Sequence, residues 1–142
     1  MSMRSALYSM IAMALLSGCV PSELSTTKEG SGSAKVSAKA GQETGLAGFY
    51  KVNGDCSGRN PGLLKVVTEP AHGTVRIQRF TGNPTYAAGH FLAKCNSHKV
   101  PQLGLFYRPA PGFVGSDRVV VAAKAAGSDV YGYVTFHIEV AD

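Results

Sequence analysis

Hydrophobic and polar positions give this chain three textures, and the longest of them, from Leu46 to Asp142, is a series of short apolar segments separated by turn residues. The clearest segment is Tyr133–Val140, where Val134, Phe136, Ile138 and Val140 alternate with Tyr133, Thr135, His137 and Glu139. A period of two builds a strand with one dry and one wet face. Arg118–Lys124 carries Val119, Val120 and Val121 in succession, and β-branching favours extended backbone there. Leu63–Thr68, Thr74–Phe80, Leu103–Arg108 and Leu46–Asn53 read as strands on the same grounds. Tyr86–Ala93 fits a strand or a helical turn, because Ala87, Ala88 and Leu92 suit both. The segments start 11 to 17 residues apart, the rhythm of a sandwich, and no window carries a convincing helical period. The pattern predicts an all-β domain over residues 46–142, a β-sandwich of about seven strands.

The other two textures precede it. Met1–Ser5 holds one positive side chain, Arg4, and no acid, and Ala6–Leu16 is an almost wholly apolar run. A basic start, an apolar run of about 7–15 residues and then small residues make a secretory signal peptide, whereas a membrane-spanning helix needs about 20 apolar residues. The run ends in Leu16-Ser17-Gly18-Cys19, which resembles the lipobox of bacterial lipoproteins. That resemblance implies removal of residues 1–18, a diacylglycerol thioether on Cys19 and a further acyl chain, such as palmitate, on its new amine. One acyl chain anchors only marginally, so two or three hold the protein to the membrane. Val20 after the cysteine, where an inner-membrane lipoprotein of enteric bacteria has Asp, implies the outer membrane, with the domain in or facing the periplasm. Residues 19–45 then read as a flexible linker, because Val20–Gly45 is rich in Ser, Thr, Gly, Ala, Lys and Glu and has no aromatic ring. Such a segment buries too little apolar surface to offset its ordering entropy, and as a free chain would span about 28 Å. The alternative for part of it is a short strand around Ala34–Ala38.

Composition adds little beyond this. Glycine at 17 and proline at 7 of 142 residues fit a turn-rich fold, and a net charge of +5 permits acidic partners.

Two passages sharpen the fold. One is Pro70-Ala71-His72-Gly73-Thr74-Val75; the other runs Tyr107-Arg108-Pro109-Ala110-Pro111-Gly112-Phe113-Val114-Gly115-Ser116-Asp117 into the valine strand. Together they resemble the bacterial Ig-like and cadherin-like repeat family, over roughly Leu63 to Val140. The resemblance implies an Ig-like sandwich, here in a single copy, with Val119 and Val121 where the family usually has aromatic residues. The residues also make sense by themselves. Pro109 and Pro111 stop a strand because neither donates to a ladder. Phe113, between Gly112 and Gly115, is placed to plug one end of the core. Asp117 is suited to accept backbone N–H groups in the turn. Its alternative role is as a calcium ligand, as in the cadherin-like repeats.

Candidate chemistry is sparse. His72, His90, His98 and His137 have no recognised zinc spacing, and there is no Cys-x-x-Cys pair, no Gly-x-Ser-x-Gly elbow and no phosphate loop. No enzyme and no cofactor is expected. With Cys19 lipidated, Cys56 and Cys95 are the two cysteines left. Export favours a disulfide between them, the alternative being two buried thiols. Arg59, Arg76, Arg79, Lys94 and Lys99 fall close in sequence and could form a basic patch for an anionic glycan or an acidic envelope protein, but a solvated face that aids solubility explains them more simply. Nucleic acid is not an expected partner for an exported chain. The resulting expectation is a non-catalytic, lipid-anchored envelope protein, an Ig-like binding or scaffold module for a protein or glycan partner. The alternatives are an inhibitor of an envelope-attacking enzyme such as lysozyme, or a structural envelope component.

Overall fold

The structure, a computed structural model, describes residues 31–142; the expected signal peptide, the expected lipidation site Cys19 and the start of the expected linker lie outside the described residues. Eight strands follow in order: β1 Ser31–Lys39, β2 Thr44–Val52, β3 Gly58–Arg59, β4 Leu63–Thr68, β5 Gly73–Gly82, β6 Val100–Pro109, β7 Gly115–Lys124 and β8 Gly132–Ala141. They form two four-stranded sheets, β1-β8-β7-β4 and β3-β2-β6-β5. β1 runs parallel to β8, and the other paired strands are antiparallel. Two such sheets, with the first and last strands side by side and β2 beside β6, make an all-β, Ig-like sandwich. Seven of the strands are long, as the pattern predicts, but the set differs from the expected one.

Two differences have physical reasons. The linker expected over 19–45 is ordered from Ser31 onward, because β1 joins the sheet edge in a nine-residue register from Ser31↔Tyr133 to Lys39↔Ala141. Its side chains are small, so its place is secured mainly by ladder hydrogen bonds; Ala38 alone is fully buried, with Ala34 and Val36 packed on the core. The flexible-linker reading therefore does not hold for 31–45, and among the described residues the sandwich takes in Ser31 onward rather than starting at Leu46. Conversely, Tyr86–Ala93 contributes no strand. It belongs to a long connection between β5 and β6 that ends in a 3₁₀ turn, Ala93–Ser97.

The core is built by alternation. β6 contributes Leu103, Leu105 and Tyr107, β7 contributes Val119 and Val121, and β8 contributes Phe136, Ile138 and Val140, all buried. Leu64 of β4 and Ala38 of β1 close the sides, and Phe113 packs against this core from the β6–β7 loop. Glu139 and His137 face water between the buried positions of β8. A second, smaller cluster gathers Cys56, Leu92 and Cys95 with Val52 and Tyr86 beneath the long connection.

Candidate functional site

Asp117 occupies the end of the sandwich where the two motif passages meet. Its Oδ1 accepts the N–H of Ala71 at 2.9 Å and of Arg118 at 2.8 Å; its Oδ2 accepts the N–H of His72 at 3.0 Å and the Tyr107 hydroxyl at 2.8 Å. Burial pushes the Asp117 carboxyl up, but the hydrogen bonds from Tyr107, Arg118, His72 and Ala71 outweigh it and hold its pKa below the usual carboxylate value. Burial, and then the neighbouring carboxylate, push the Tyr107 phenol well above its ordinary value. With four donors on two oxygens, the carboxylate has no lone pair directed at solvent for a cation, and its role here is to fasten the 70–73 turn to β6 and β7. Among the described residues no three His, Cys, Asp or Glu side chains come together to hold a metal ion. His72 stacks on Phe113 at 4.3 Å, completing this end.

The five basic residues do not form one surface. Arg76 and Arg79 lie three apart on an unbroken strand and so face opposite sides of the sheet. Arg79 reaches the Gly62 carbonyl at 3.4 Å. Arg76 forms a two-pronged pair with Glu43, donating to Oε1 at 2.5 Å and Oε2 at 2.8 Å, while its guanidinium also bonds Gln78 and lies 4.4 Å over the Phe106 ring. The Arg76 hydrogen bond holds Glu43 below its ordinary pKa. Arg59 lies on β3 opposite Lys51, Lys94 on the 3₁₀ turn, and Lys99 just before β6.

The described surface with most chemical character is one that charge and motif reading do not reveal. On the outer face of the β3-β2-β6-β5 sheet, three rows cross β2, β6 and β5. They are Gly45–Phe106–Arg76, Gly48–Gly104–Gln78 and Tyr50–Gln102–Phe80. The middle row lacks side chains in two of its three places. A Cβ on Gly104 would stand 2.6 Å from the Phe106 ring and 2.8 Å from the Phe80 ring, and one on Gly48 would stand 2.9 Å from Gln102 Oε1. The phenyl rings and the amide therefore lie down over the glycines, as aromatic neighbours of strand glycines do. A shallow groove of about 330 Å³ results, walled by Tyr50, Phe80, Asn83, Thr85, Gln102 and Phe106. Gln102 is only 4% exposed, and its Nε2 has no hydrogen-bond partner in the protein.

From Tyr50 the aromatic surface continues onto the β5–β6 connection. Tyr86 packs edge-on to Tyr50 at 5.4 Å, His90 stacks on Tyr86 at 4.6 Å, and Phe91 stacks on His90 at 4.7 Å. Phe91 ends the stack with 77% of its surface exposed. The connection is held rigidly for so long a loop. The disulfide Cys56–Cys95, with Cα atoms 5.1 Å apart, ties it to the β2–β3 turn. Asn96 holds the Tyr86 backbone on both sides, accepting its N–H at 3.0 Å and donating to its carbonyl at 2.9 Å. Asn83 donates to the Asn96 carbonyl, and the Tyr50 hydroxyl accepts the N–H of Thr85. The N–H of Leu92 donates to His90 Nδ1 at 3.1 Å, which fixes the imidazole in the stack. In the sequence, the residues between Tyr86 and Cys95 register only as an ambiguous segment. The hint was the density of rings at positions 86, 90 and 91 beside a cysteine.

No protein-family model matches the chain. No curated protein matches it either. Among solved structures, the solution structure of amebosin aligns with it at a TM-score of 0.41 and 9% identity, over 81% of this chain and 100% of that one, and a likeness that slight carries no argument about what the chain does.

Proposed function

We propose that the protein is an exported module, lipid-anchored at Cys19 in the bacterial outer membrane, whose task is to bind rather than to catalyse. We read it as a single-copy member of the bacterial Ig-like repeat family. That reading is supported by the sequence passages around His72 and Phe113 and by the way Asp117 and Tyr107 join them. The observation that carries the binding role is the aromatic surface that ends at Phe91. A phenyl ring held 77% exposed at the tip of a disulfide-tied, hydrogen-bonded loop ends a continuous aromatic surface through His90, Tyr86 and Tyr50, and that continuity, rather than one exposed ring, marks a contact face. Rigid aromatic anchors of this kind are typical of the centres of binding surfaces, because little conformational entropy is lost on contact.

The test is site-specific photo-crosslinking in living cells. A photoreactive phenylalanine at position 91 should give envelope adducts, and the same residue at position 137, on the exposed face of β8, should not. Equal labelling at both positions, or none at 91, would refute the assignment. Capture of an envelope-attacking enzyme such as lysozyme at position 91 would replace the scaffold role with an inhibitory one.

A further inference from the structure

We propose that the groove over Gly48 and Gly104, together with the Tyr50–Phe91 stack, is a binding site for an uncharged glycan strand of N-acetylated hexosamine units. The proposal rests on the reading above, that this face is the binding surface, and names its ligand class. Three observations carry it. The first is the shape of the apolar groups: Phe80, Phe106 and the end of the stack at Phe91 are flat rings, separated by the polar side chains of Gln78, Asn83, Thr85 and Gln102. A sugar ring offers the complement, a face of C–H groups with hydroxyls around its edge. The second is charge. Arg76, the nearest cation of the sheet face, is engaged by Glu43 and Gln78, Arg108 lies further along β6 on the same face, and the groove walls themselves are uncharged, so the groove offers an anion no direct partner. The third is the Gln102 amide nitrogen, which is buried without a partner where unmet donors are rare and costly.

The Gln102 donor points to the acetamido group. A Cβ on Gly82 would stand 2.7 Å from the Phe80 ring and 3.3 Å from Gln102 Nε2, so ring and amide lie together over that glycine. Phe80 belongs to an edge strand, is 38% exposed and is not part of the core, so in this proposal its ring swings outward to uncover the amide. An acetamido carbonyl entering there accepts the Gln102 N–H while its methyl group rests on the phenyl rings. A membrane surface fits less well. Phe91 is the one large apolar side chain exposed on the β5–β6 connection among the described residues, and a single ring among polar neighbours makes a poor wedge into lipid.

The experiment uses the full chain in detergent micelles for a hexamer of β-linked N-acetylglucosamine and a hexamer of β-linked glucose. The chain from residue 20 onward, which has no acylated cysteine and needs no detergent, is used for vesicles of equal parts phosphatidylglycerol and phosphatidylethanolamine. Affinity is measured together with the NMR signal of the Gln102 side-chain amide. The N-acetylated hexamer should bind and shift that signal. Phe91→Ala and Phe80→Ala should each weaken binding about two- to tenfold, the worth of one aromatic stacking contact. Gln102→Met, which keeps the shape and removes the donor, should abolish the preference for the N-acetylated hexamer over the glucose hexamer. Val114→Ala, an exposed apolar residue elsewhere, should change nothing. Equal binding of both hexamers with an unmoved Gln102 signal overturns the acetamido assignment. Binding of vesicles but neither hexamer overturns the glycan class in favour of lipid. Failure of both hexamers, with photo-crosslinks to a protein persisting at position 91, leaves the binding surface standing and overturns only its ligand.

Discussion

Replacing Asp117 by asparagine isolates the carboxylate that joins the 70–73 turn to β6 and β7. The substitution keeps size and shape. Its remaining oxygen still serves the Ala71 and Arg118 N–H groups, but an NH₂ now faces the His72 N–H and the Tyr107 hydroxyl. The hydroxyl can turn and accept; the His72 N–H cannot. One stranded donor costs about 1–3 kcal/mol, and the surviving bonds lose their charge assistance, so a total of about 2–4 kcal/mol is expected. For a domain this size that is roughly 10–20 °C in melting temperature, a large share of a stability near 5–15 kcal/mol. Tyr107→Phe removes one of the four bonds, and because the two side chains touch, the double variant should cost less than the sum of the singles. Urea and thermal denaturation followed by circular dichroism measure all three. An Asp117→Asn domain within about 0.5 kcal/mol of wild type would refute the fastening role, as surface changes away from such features usually fall in that range. So would a rise in wild-type melting temperature with millimolar calcium, which would make the carboxylate a cation ligand.

The same pair sets both ends of the pH profile. Folding lowers the Asp117 pKa below its ordinary 3.8, so its contribution is complete above that value and is lost as pH falls through the folded pKa. Folding raises the Tyr107 pKa above its ordinary 10.0, so its contribution is complete below that value and declines as pH rises beyond it. Asp117→Asn should flatten the acid limb and Tyr107→Phe the alkaline limb. Unchanged limbs would show that other groups govern them.

Phe136→Ala empties a position only 3% exposed and should cost about 3–5 kcal/mol, whereas Thr135→Ala on the other face of β8 should cost under about 1 kcal/mol; equal losses in urea denaturation would contradict the register. Reducing Cys56–Cys95, which are 39 residues apart, should remove about 4 kcal/mol and speed amide exchange in the β5–β6 connection, and an unchanged melting temperature would deny the bridge any such role. Mass spectrometry of wild-type protein from membranes should find an acylated Cys19 as the first residue, and Cys19→Ser should lack acyl chains; a lipid-free protein starting elsewhere would remove the anchor.

How much the chain discloses in advance depends on how each residue is used. β8 was legible because one face is dry and the other wet, so Val134 to Val140 carry the period openly. β1 was nearly silent. Its alternation of Ala34, Val36 and Ala38 with Ser33, Lys35 and Ser37 is present, but small side chains leave a weak apolar signal, and parallel pairing with β8 is a long-range event with no local mark. The Asp117 fastening was half legible: Asp in a Pro/Gly turn announces a backbone acceptor, while the Tyr107 and His72 partners stand 10 and 45 residues away. The basic cluster failed because closeness in sequence says little about facing, and positions three apart on a strand point apart. The aromatic surface was hidden for the opposite reason. Tyr50, Phe80, Gln102 and Phe106 come from three strands and meet only through the register of β2, β6 and β5.

The parallel pairing of β1 with β8 also fixes how the domain bears force. The register places Ser31 beside Tyr133 near the start of β8, while Lys39 lies beside Ala141 at the end, so a load applied at Ser31 in the direction of the chain's N-terminus acts along the strand. Pulling along β1 therefore slides it lengthwise past its neighbour. In that geometry the ladder bonds from Ser31 to Lys39 resist together, where a peeling geometry would break them one at a time. A strand of small side chains, with Ala38 alone fully buried, thus becomes the mechanical clasp of the domain.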